Sequence, residues 1–405
     1  MRFLEYVPCR ADPDLWIKRE TNPKTGEDYY AYILFYVDDC MVIHHDGKSC
    51  LFAIDKFFKM KPSSMGDPDI YLGAKLRPVT LDNGKQAWGF SAAKYVRSAA
   101  DNVEAHMEKL GRKLHTKGRG PWPDGYDAEL DDTDELDHDL ANYYQTMIGV
   151  MHWMIELGRV DIITEVSKLA SYMAMPRQGH FEAALQIFAY LKRKVNSRMI
   201  FDPTEPKIDQ SQFHQSPDWV RFYGDVKETI PHDALTPLGP AVYLRLKVDA
   251  DHAGDKAMRR SRTGFFIFLN SAPIAWMSKR QPTVESSVFG AEFVAMKQGV
   301  ETLRGIRYKL RMMGVRVDGP SYAYGDNMSV IKNCSKPESK LNKKSNSVCY
   351  HAVREAVAMG EVLMSHIPTQ DNVADLATKI LPYGVKRCRL VDMILHDIES
   401  ESRAD

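Results

Sequence analysis

Acidic residues that end alternating apolar segments are the feature that most constrains how this chain folds. Apolar residues alternate along residues 242–248, and the strand that they predict ends at Asp249. Tyr322 and Tyr324 alternate in the same way into Asp326. Carboxylates that follow neighbouring strands can meet at one sheet edge. A single Asp at a strand end is also ordinary turn chemistry, and that alternative stays open here.

A glutamate interrupts the apolar face of the long helix predicted over residues 286–313. Glu292 lies four residues after Val288 and three before Ala295, so it shares their side of the helix. A carboxylate that faces a core destabilises the fold unless a cation neutralises it. Glu292 is therefore either part of a cation site or a glutamate at the edge of the apolar face that pairs with an arginine.

A fourth acid follows the last predicted strand. Residues 362–367 run into Pro368, and the next turn places Asp375 on the first turn of a helix. Clustered carboxylates suit Mg²⁺, and two ions about 3.5–4 Å apart can activate water for phosphodiester hydrolysis. The four acids thus predict a site for two Mg²⁺ ions, with Mn²⁺ as a substitute. Helix capping remains the alternative for each Asp.

Two further acids lie in the turn of a predicted β-hairpin. Its arms are the apolar, aromatic-rich residues 31–37 and residues 40–43, and Asp38 and Asp39 stand between them. Tight hairpin turns favour Asn-Gly or Asp-Gly, so Asp-Asp is a poor choice for the turn alone. A metal at the hairpin tip explains the pair, and an exposed acidic turn is the alternative.

Composition excludes several classes of protein. Lys plus Arg and Asp plus Glu both number 54 in 405 residues, so nucleic-acid binding requires local segregation of charge. The six cysteines form no CxxC pair, which argues against zinc and indicates free thiols in a reducing compartment. No apolar run approaches the roughly 18 residues of a membrane span, so we expect an intracellular protein without a membrane partner.

Basic residues flank the acids. Arg259, Arg260 and Arg262 follow Asp249, and a polar loop carries further lysines, including Lys340, Lys343 and Lys344. Such residues can hold phosphates while metals take the scissile one. A solvated charged loop is the alternative for the lysines.

Several motifs resemble those of one known family. YVDD, inside AYILFYVDDCMVI, resembles the polymerase hairpin of copia-type LTR-retrotransposon reverse transcriptases. PCRADPDLWIK, MGDPDIYLGAKL and SAAKYV resemble the palm and thumb of that family, and residues 143–192 resemble its helical connection. VDADHAGD, SSVFGAEFVAM, YGDNMSVI and DNVADLATK are similar to its RNase H domain. YVDD alone is a weak signal, but the ordered set is specific.

The resemblance implies a mixed α+β and α/β fold. It would comprise a partial reverse-transcriptase palm, a helical thumb or connection, and an RNase H-like mixed five-stranded sheet with flanking helices. The expected units are a partial palm and thumb start at 1–120, an acidic linker at 121–140 that we expect to be solvated, a helical connection at 141–203, a Pro-rich connection at 204–241, an RNase H-like domain at 242–380 and a C-terminal tail at 381–405.

The resemblance also implies roles for the acids. Asp249, Glu292, Asp326 and Asp375 match the RNase H quartet, and Asp38 and Asp39 match the polymerase pair. The polymerase aspartate of an earlier strand and the fingers are missing, and no histidine stands near Thr369, where some RNase H enzymes place one.

The expected function is therefore Mg²⁺-dependent cleavage of the RNA strand of RNA·DNA hybrids, with an incomplete polymerase half. The expected partners are the hybrid, template RNA and other polyprotein parts such as integrase and capsid. The expected location is a cytoplasmic virus-like particle, with a nuclear phase. The alternative is a decayed, non-enzymatic relic that at most binds nucleic acid.

Overall fold

The computed structural model describes residues 1–37, 39–62, 65–114, 119–341 and 344–398. Asp38 and Lys343 lie outside these residues. The strands in chain order are β1 Val7–Cys9, β2 Asp12–Thr21, β3 Asp28–Tyr36, β4 Asp39–Ile43, β5 Ile70–Tyr71, β6 Ala74–Thr80, β7 Gln86–Ser91, β8 Ser197–Phe201, β9 Leu244–Asp251, β10 Arg262–Leu269, β11 Ala272–Arg280, β12 Ser321–Gly325, β13 Val362–His366 and β14 Leu395–Asp397. The α-helices are α1 Gly47–Asp55, α2 Ala93–Lys109, α3 His138–Glu156, α4 Ile163–Leu169, α5 Gln178–Arg193, α6 Trp219–Tyr223, α7 Val288–Met312, α8 Met328–Ser335, α9 Ser347–Ala358 and α10 Val385–Asp392. This mixture of helices and sheets confirms the expected α+β class.

The N-terminal sheet contains the expected hairpin. Strands β1 to β4 pair in chain order, and β3 and β4 are antiparallel, with Tyr36 opposite Asp39. One face of the sheet packs on α1, where Ile33 and Ile54 are buried together. The other face packs against the C-terminal end of α7, and the Tyr32 hydroxyl donates a 2.8 Å hydrogen bond to the carbonyl of Met313. The first four strands are thus attached directly to the C-terminal half of the chain.

Helices α3, α4 and α5 form the largest core. The apolar side chains that recur at helical spacing in α3 and α5 are buried, as their periodicity predicts. These helices pack on a second sheet, whose strand order is β14-β8-β7-β6-β5. Strand β14 pairs with β8, so residues 395–397 of the expected C-terminal tail are part of this sheet, after helix α10. The sequence does not predict this strand, because β14 has only three residues and Leu395 alone of them is buried.

The first part of the acidic segment before α3, residues 126–131, is packed, whereas the acids from Asp132 to Asp139 are exposed. The expectation of a solvated linker is therefore corrected for the first part only. Ala128 is buried, and Glu129 pairs with Lys168 of α4 at 2.6 Å with both side chains largely inaccessible. The carboxylate of Asp131 accepts hydrogen bonds from Tyr126 and from Thr133. These contacts come from residues distant in sequence or from turn hydroxyls, so charge counting alone does not predict them.

The third sheet is the expected mixed five-stranded sheet. Its strand order is β11-β10-β9-β12-β13, with β9, β10 and β11 antiparallel and β9, β12 and β13 parallel. Helix α7 packs on one face, where Gly299 lets the helix approach Leu246 of β9 closely. The other face contributes Phe266 and Phe268 to the core formed by α3, α4 and α5. The two faces are therefore covered by different parts of the chain.

Candidate metal centre

Two strand ends and one helix face bring three acids together. Strands β9 and β12 are parallel neighbours, so their carboxyl ends meet at one edge and place Asp249 near Asp326. Helix α7 begins after Ser287, whose hydroxyl caps the backbone N–H of Gly290, and its second turn carries Glu292 over the same edge. One carboxylate oxygen from each of the three acids lies within 4.8 Å of the others. The inward-facing Glu292 is explained by this cluster.

Burial and mutual repulsion disfavour full ionisation of the cluster. Burial, reinforced by the charges of Asp249 and Asp326, raises the pKa of Glu292 to about 9. Burial also raises the pKa of Asp249 to about 6, although Lys379 opposes this shift. Several buried carboxylates close together need a cation to neutralise their negative charge. A set of donors that are all oxygen atoms suits Mg²⁺ or Mn²⁺. The three acids therefore fit a hard divalent metal ion.

Asp375 lies beside this cluster but faces lysines. It is fully buried in a 3₁₀ turn, Val373–Ala377, and not in the α-helix that the sequence predicts. Its carboxylate pairs with Lys379 and with Lys386, the latter at 2.5 Å, and it is not one of the three clustered acids.

The turn that carries Asp375 is held against the sheet. The side-chain amide of Asn372 donates a 2.9 Å hydrogen bond to the carbonyl of Val248. Gly264 lies opposite Asp249 in the ladder, and a Cβ there would stand 2.7 Å from the carbonyl carbon of Ala377. Only glycine at this position leaves room for the turn.

Three described residues that the sequence patterns did not mark as site residues contact the clustered acids Asp249 and Asp326. The ammonium of Lys379 lies 3.1 Å from an oxygen of Asp249. The hydroxyl of Thr378 donates to the same carboxylate. The hydroxyl of Thr369 donates a 2.8 Å hydrogen bond to Asp326. The four-residue spacing from Asp375 to Lys379 was the available signal, because such spacing brings side chains together on a helical turn.

An open cleft gives access to the acids. Its volume is about 480 Å³, and the clustered acids, Lys379, His252 and the first residues of α8 line it. The three clustered acids therefore lie at the surface of an open cleft.

Of the two hairpin acids, Asp39 is described and does not join this centre. Asp39 is partly buried at the start of β4, and Asp38 lies outside the described residues. Within the described ranges, no group of three or more Asp, Glu, His or Cys side chains placed to hold a metal includes Asp39. The metal role of the hairpin stays a prediction.

The predicted basic residues divide between surface and interior. Arg259, Lys340 and Lys344 are exposed, Arg260 is partly exposed, and Lys343 lies outside the described residues. Arg262 is buried, and its guanidinium donates to the hydroxyls of Ser167 and Ser278. This corrects the expectation that Arg262 contacts nucleic acid, since it joins β10 to α4. Among the described residues, no helix has both the length and the hydrophobicity of a membrane span.

Comparison with known proteins gives the class of the homologues. No family model matches the chain. It is 26% identical over 59% of its length to the retrovirus-related Pol polyprotein from transposon RE1 of Arabidopsis thaliana. It is 25% identical over 86% of its length to that from transposon RE2 of the same plant, and 23% identical over 94% to that from transposon TNT 1-94 of Nicotiana tabacum. The homologues of the chain are thus Pol polyproteins.

More particularly, they are Pol polyproteins of copia-type LTR retrotransposons, as the motifs suggest, and they cover most of the chain. The chain in turn spans only 14–25% of the length of the curated relatives named above.

Solved structures of ribonucleases H overlap the chain partially. LC11-RNase H1 in complex with an RNA/DNA hybrid is 16% identical, covers 33% of this chain and 93% of its own, and has a TM-score of 0.28. RNase H1 from Halobacterium salinarum is 14% identical, covers 34% of this chain and 95% of its own, and has a TM-score of 0.27.

Proposed function

We propose that residues 242–380 hydrolyse the RNA strand of RNA·DNA hybrids with Mg²⁺, within a fragment of reverse-transcriptase and RNase H type. The observation that carries the proposal is the convergence of Asp249, Glu292 and Asp326 on one edge of a mixed sheet, with their oxygens within 4.8 Å. Homology to retrotransposon Pol polyproteins over most of the chain supports it independently.

Each side chain of the centre has a role in this proposal. Asp249, Glu292 and Asp326 would hold the metal, and Asp375 would complete the quartet. The chemistry that bound Mg²⁺ supplies is activation of water and stabilisation of the leaving oxygen. Thr369 and Thr378 would fix the orientation of Asp326 and Asp249 through the hydrogen bonds that their hydroxyls donate.

The substrate would lie across the open cleft. Exposed Arg259, Lys340 and Lys344 supply positive charge for phosphate contacts that carry no sequence preference. Wide minor grooves and 2′-hydroxyls would distinguish the hybrid from DNA duplex.

The proposed partners are the hybrid, template RNA and other polyprotein parts. The proposed location is a cytoplasmic virus-like particle with a nuclear phase. Mn²⁺ would substitute for Mg²⁺.

The test is hydrolysis of an end-labelled RNA·DNA hybrid by the full chain in MgCl₂. We expect cleavage of the RNA strand that stops when EDTA is added. Glu292→Gln keeps the shape of the side chain and removes its charge, so we expect the rate to fall by about two orders of magnitude or more. Single-turnover kinetics with excess protein measure this ratio.

Glu301→Gln is the matched control, because Glu301 is exposed on the same helix and pairs with Lys297. It should cleave like the original chain. Equal rates for the original chain and Glu292→Gln would refute the metal-centre proposal. A folded chain that binds the hybrid but never cuts it would favour the non-enzymatic relic.

A further inference from the structure

Lys379 occupies the space between two of the four acids. Its ammonium lies 3.1 Å and 3.3 Å from the two oxygens of Asp249, and it also pairs with Asp375. Lys379 follows the 3₁₀ turn that Gly264 admits close to the sheet, so its position is set by the backbone. About two thirds of the side chain is buried. The contact is therefore a built part of the site and not a surface ion pair.

The charges of the four acids and their two lysines together match the charge of one divalent ion. Asp375 also pairs with Lys386, so two ammonium groups serve four carboxylates. If all are ionised, two net negative charges remain, which a single divalent cation neutralises. Two divalent cations would leave two net positive charges beside the buried Asp249, Glu292 and Asp375, which desolvation disfavours. The lysines thus limit the charge that the site accepts.

We propose that Lys379 is a built-in cation that holds the place of a second divalent ion, so that the substrate-free site takes one Mg²⁺ and admits another only when Lys379 moves away. This inference rests on the proposed function and deepens it, because it assigns the metal stoichiometry of that site to a named side chain. Lys379 is in this sense a positioning residue, which acts through Asp249 and Asp375.

Calorimetric titration of the full chain with MgCl₂ alone tests the proposal. We expect one bound ion for the original chain. Lys379→Met keeps most of the side-chain volume without the charge, so we expect two bound ions, or binding about tenfold tighter. Thermal melts in the same MgCl₂ series should show a larger increase in melting temperature for Lys379→Met than for the original chain.

Lys309→Met is the matched control, because Lys309 is exposed on α7 and its removal changes net charge equally. It should bind Mg²⁺ like the original chain. Two ions bound by the original chain, or one ion bound with unchanged affinity by Lys379→Met, would overturn the inference. If the original chain neither binds Mg²⁺ nor cleaves the hybrid, the proposed function itself fails, so the two failures are distinguishable.

If Lys379→Met does not fold, acetylation of lysines, measured by mass spectrometry, tests the proposal on the original chain. In the original chain, Lys379 should be protected from labelling both without metal and when one Mg²⁺ is bound, while the exposed Lys309 is labelled in both states. Labelling of Lys379 that rises several-fold when the first Mg²⁺ binds would show that the ammonium leaves the acids for that ion, which contradicts the proposal.

Discussion

Asp326 is the clustered acid that a single substitution probes most clearly, because it is only partly buried while Asp249 and Glu292 are buried. Without metal, the three like charges repel one another. Asp326→Asn removes one charge and keeps an oxygen that can accept from Thr369. We expect an equal or higher melting temperature without metal, and a smaller increase on adding MgCl₂. Paired thermal melts with EDTA and with MgCl₂ measure both effects.

A melting temperature well below that of the original chain in EDTA would contradict this prediction. Asp326 would then be a structural residue that stabilises the end of β12 through Thr369, and not a metal ligand. Asp318→Asn is the control, because Asp318 is exposed and its pairing with Arg316 contributes little to stability.

Single residues were predictable where a pattern was broken. Glu292 was identifiable because it interrupts an apolar helical face, and Asp249 because it ends an alternating strand. Lys379 is marked by its four-residue spacing from Asp375 and by no broken pattern, and Thr378 by neither, since a Thr-Lys pair after a turn is ordinary surface sequence. Their roles depend on how closely the turn approaches β10, and this distance is set by Gly264, more than a hundred residues earlier.

At the scale of elements, His180 at the start of α5 joins the acidic segment to the helices. Its Nδ1 accepts a 3.0 Å hydrogen bond from the backbone N–H of Arg177, and its Nε2 lies 2.9 Å from the carbonyl of Ala128. Burial lowers the pKa of His180 despite this carbonyl. Because Nδ1 accepts the hydrogen bond from Arg177, protonation of the imidazole would remove this acceptor.

The free energy of unfolding should consequently fall as the pH decreases through the ordinary histidine range. The unfolded chain takes up this proton at a higher pH than the folded chain, so acid favours unfolding. His180→Gln keeps one acceptor and one donor without titrating, so we expect a weaker decrease in stability between pH 7 and pH 5. Urea unfolding at several pH values measures the slopes.

His138→Gln is the control for this prediction, because the His138 side chain is almost fully exposed. It should retain the slope of the original chain. The same slope in all three proteins would show that His180 does not contribute to acid sensitivity.

Elements with strong periodicity were predicted well, and elements that depend on distant partners were not. The hairpin of β3 and β4, the buried faces of α3 and α5, and helix α7 ending before Gly314 agree with their sequence patterns. The acidic segment was expected in solvent because its charges outweigh any local signal. Its folding depends on Lys168 of α4, on Arg177 just before α5 and on His180 of α5.

At the scale of the whole molecule, the hairpin adds no described acid to the group formed by Asp249, Glu292 and Asp326. Nucleotide addition needs metals held by acids from more than one strand and a clamp for the triphosphate. Asp39 joins no such group among the described residues. We expect no template-dependent primer extension by this chain alone, in a preparation that does cleave the hybrid. Incorporation of labelled nucleotides on an RNA template is the measurement.

Asp38→Asn and Asp39→Asn serve as controls for this prediction. Incorporation that requires the template and disappears in both variants would contradict it, because it would show a complete polymerase site. Residual incorporation that survives both variants would come from a contaminating enzyme and would leave the prediction standing.

The pairing of β14 with β8 has a consequence for how the chain folds during synthesis. Met199 and Leu395 are partners in one sheet. One edge of β8 therefore stays unpaired until the ribosome has made roughly 200 further residues. At about 5–20 residues per second, that delay is on the order of 10–40 s. An unpaired edge is a template for pairing with other chains. Nascent copies made side by side on one messenger RNA would therefore be most vulnerable to intermolecular pairing at β8, and prompt chaperone binding there would favour correct folding.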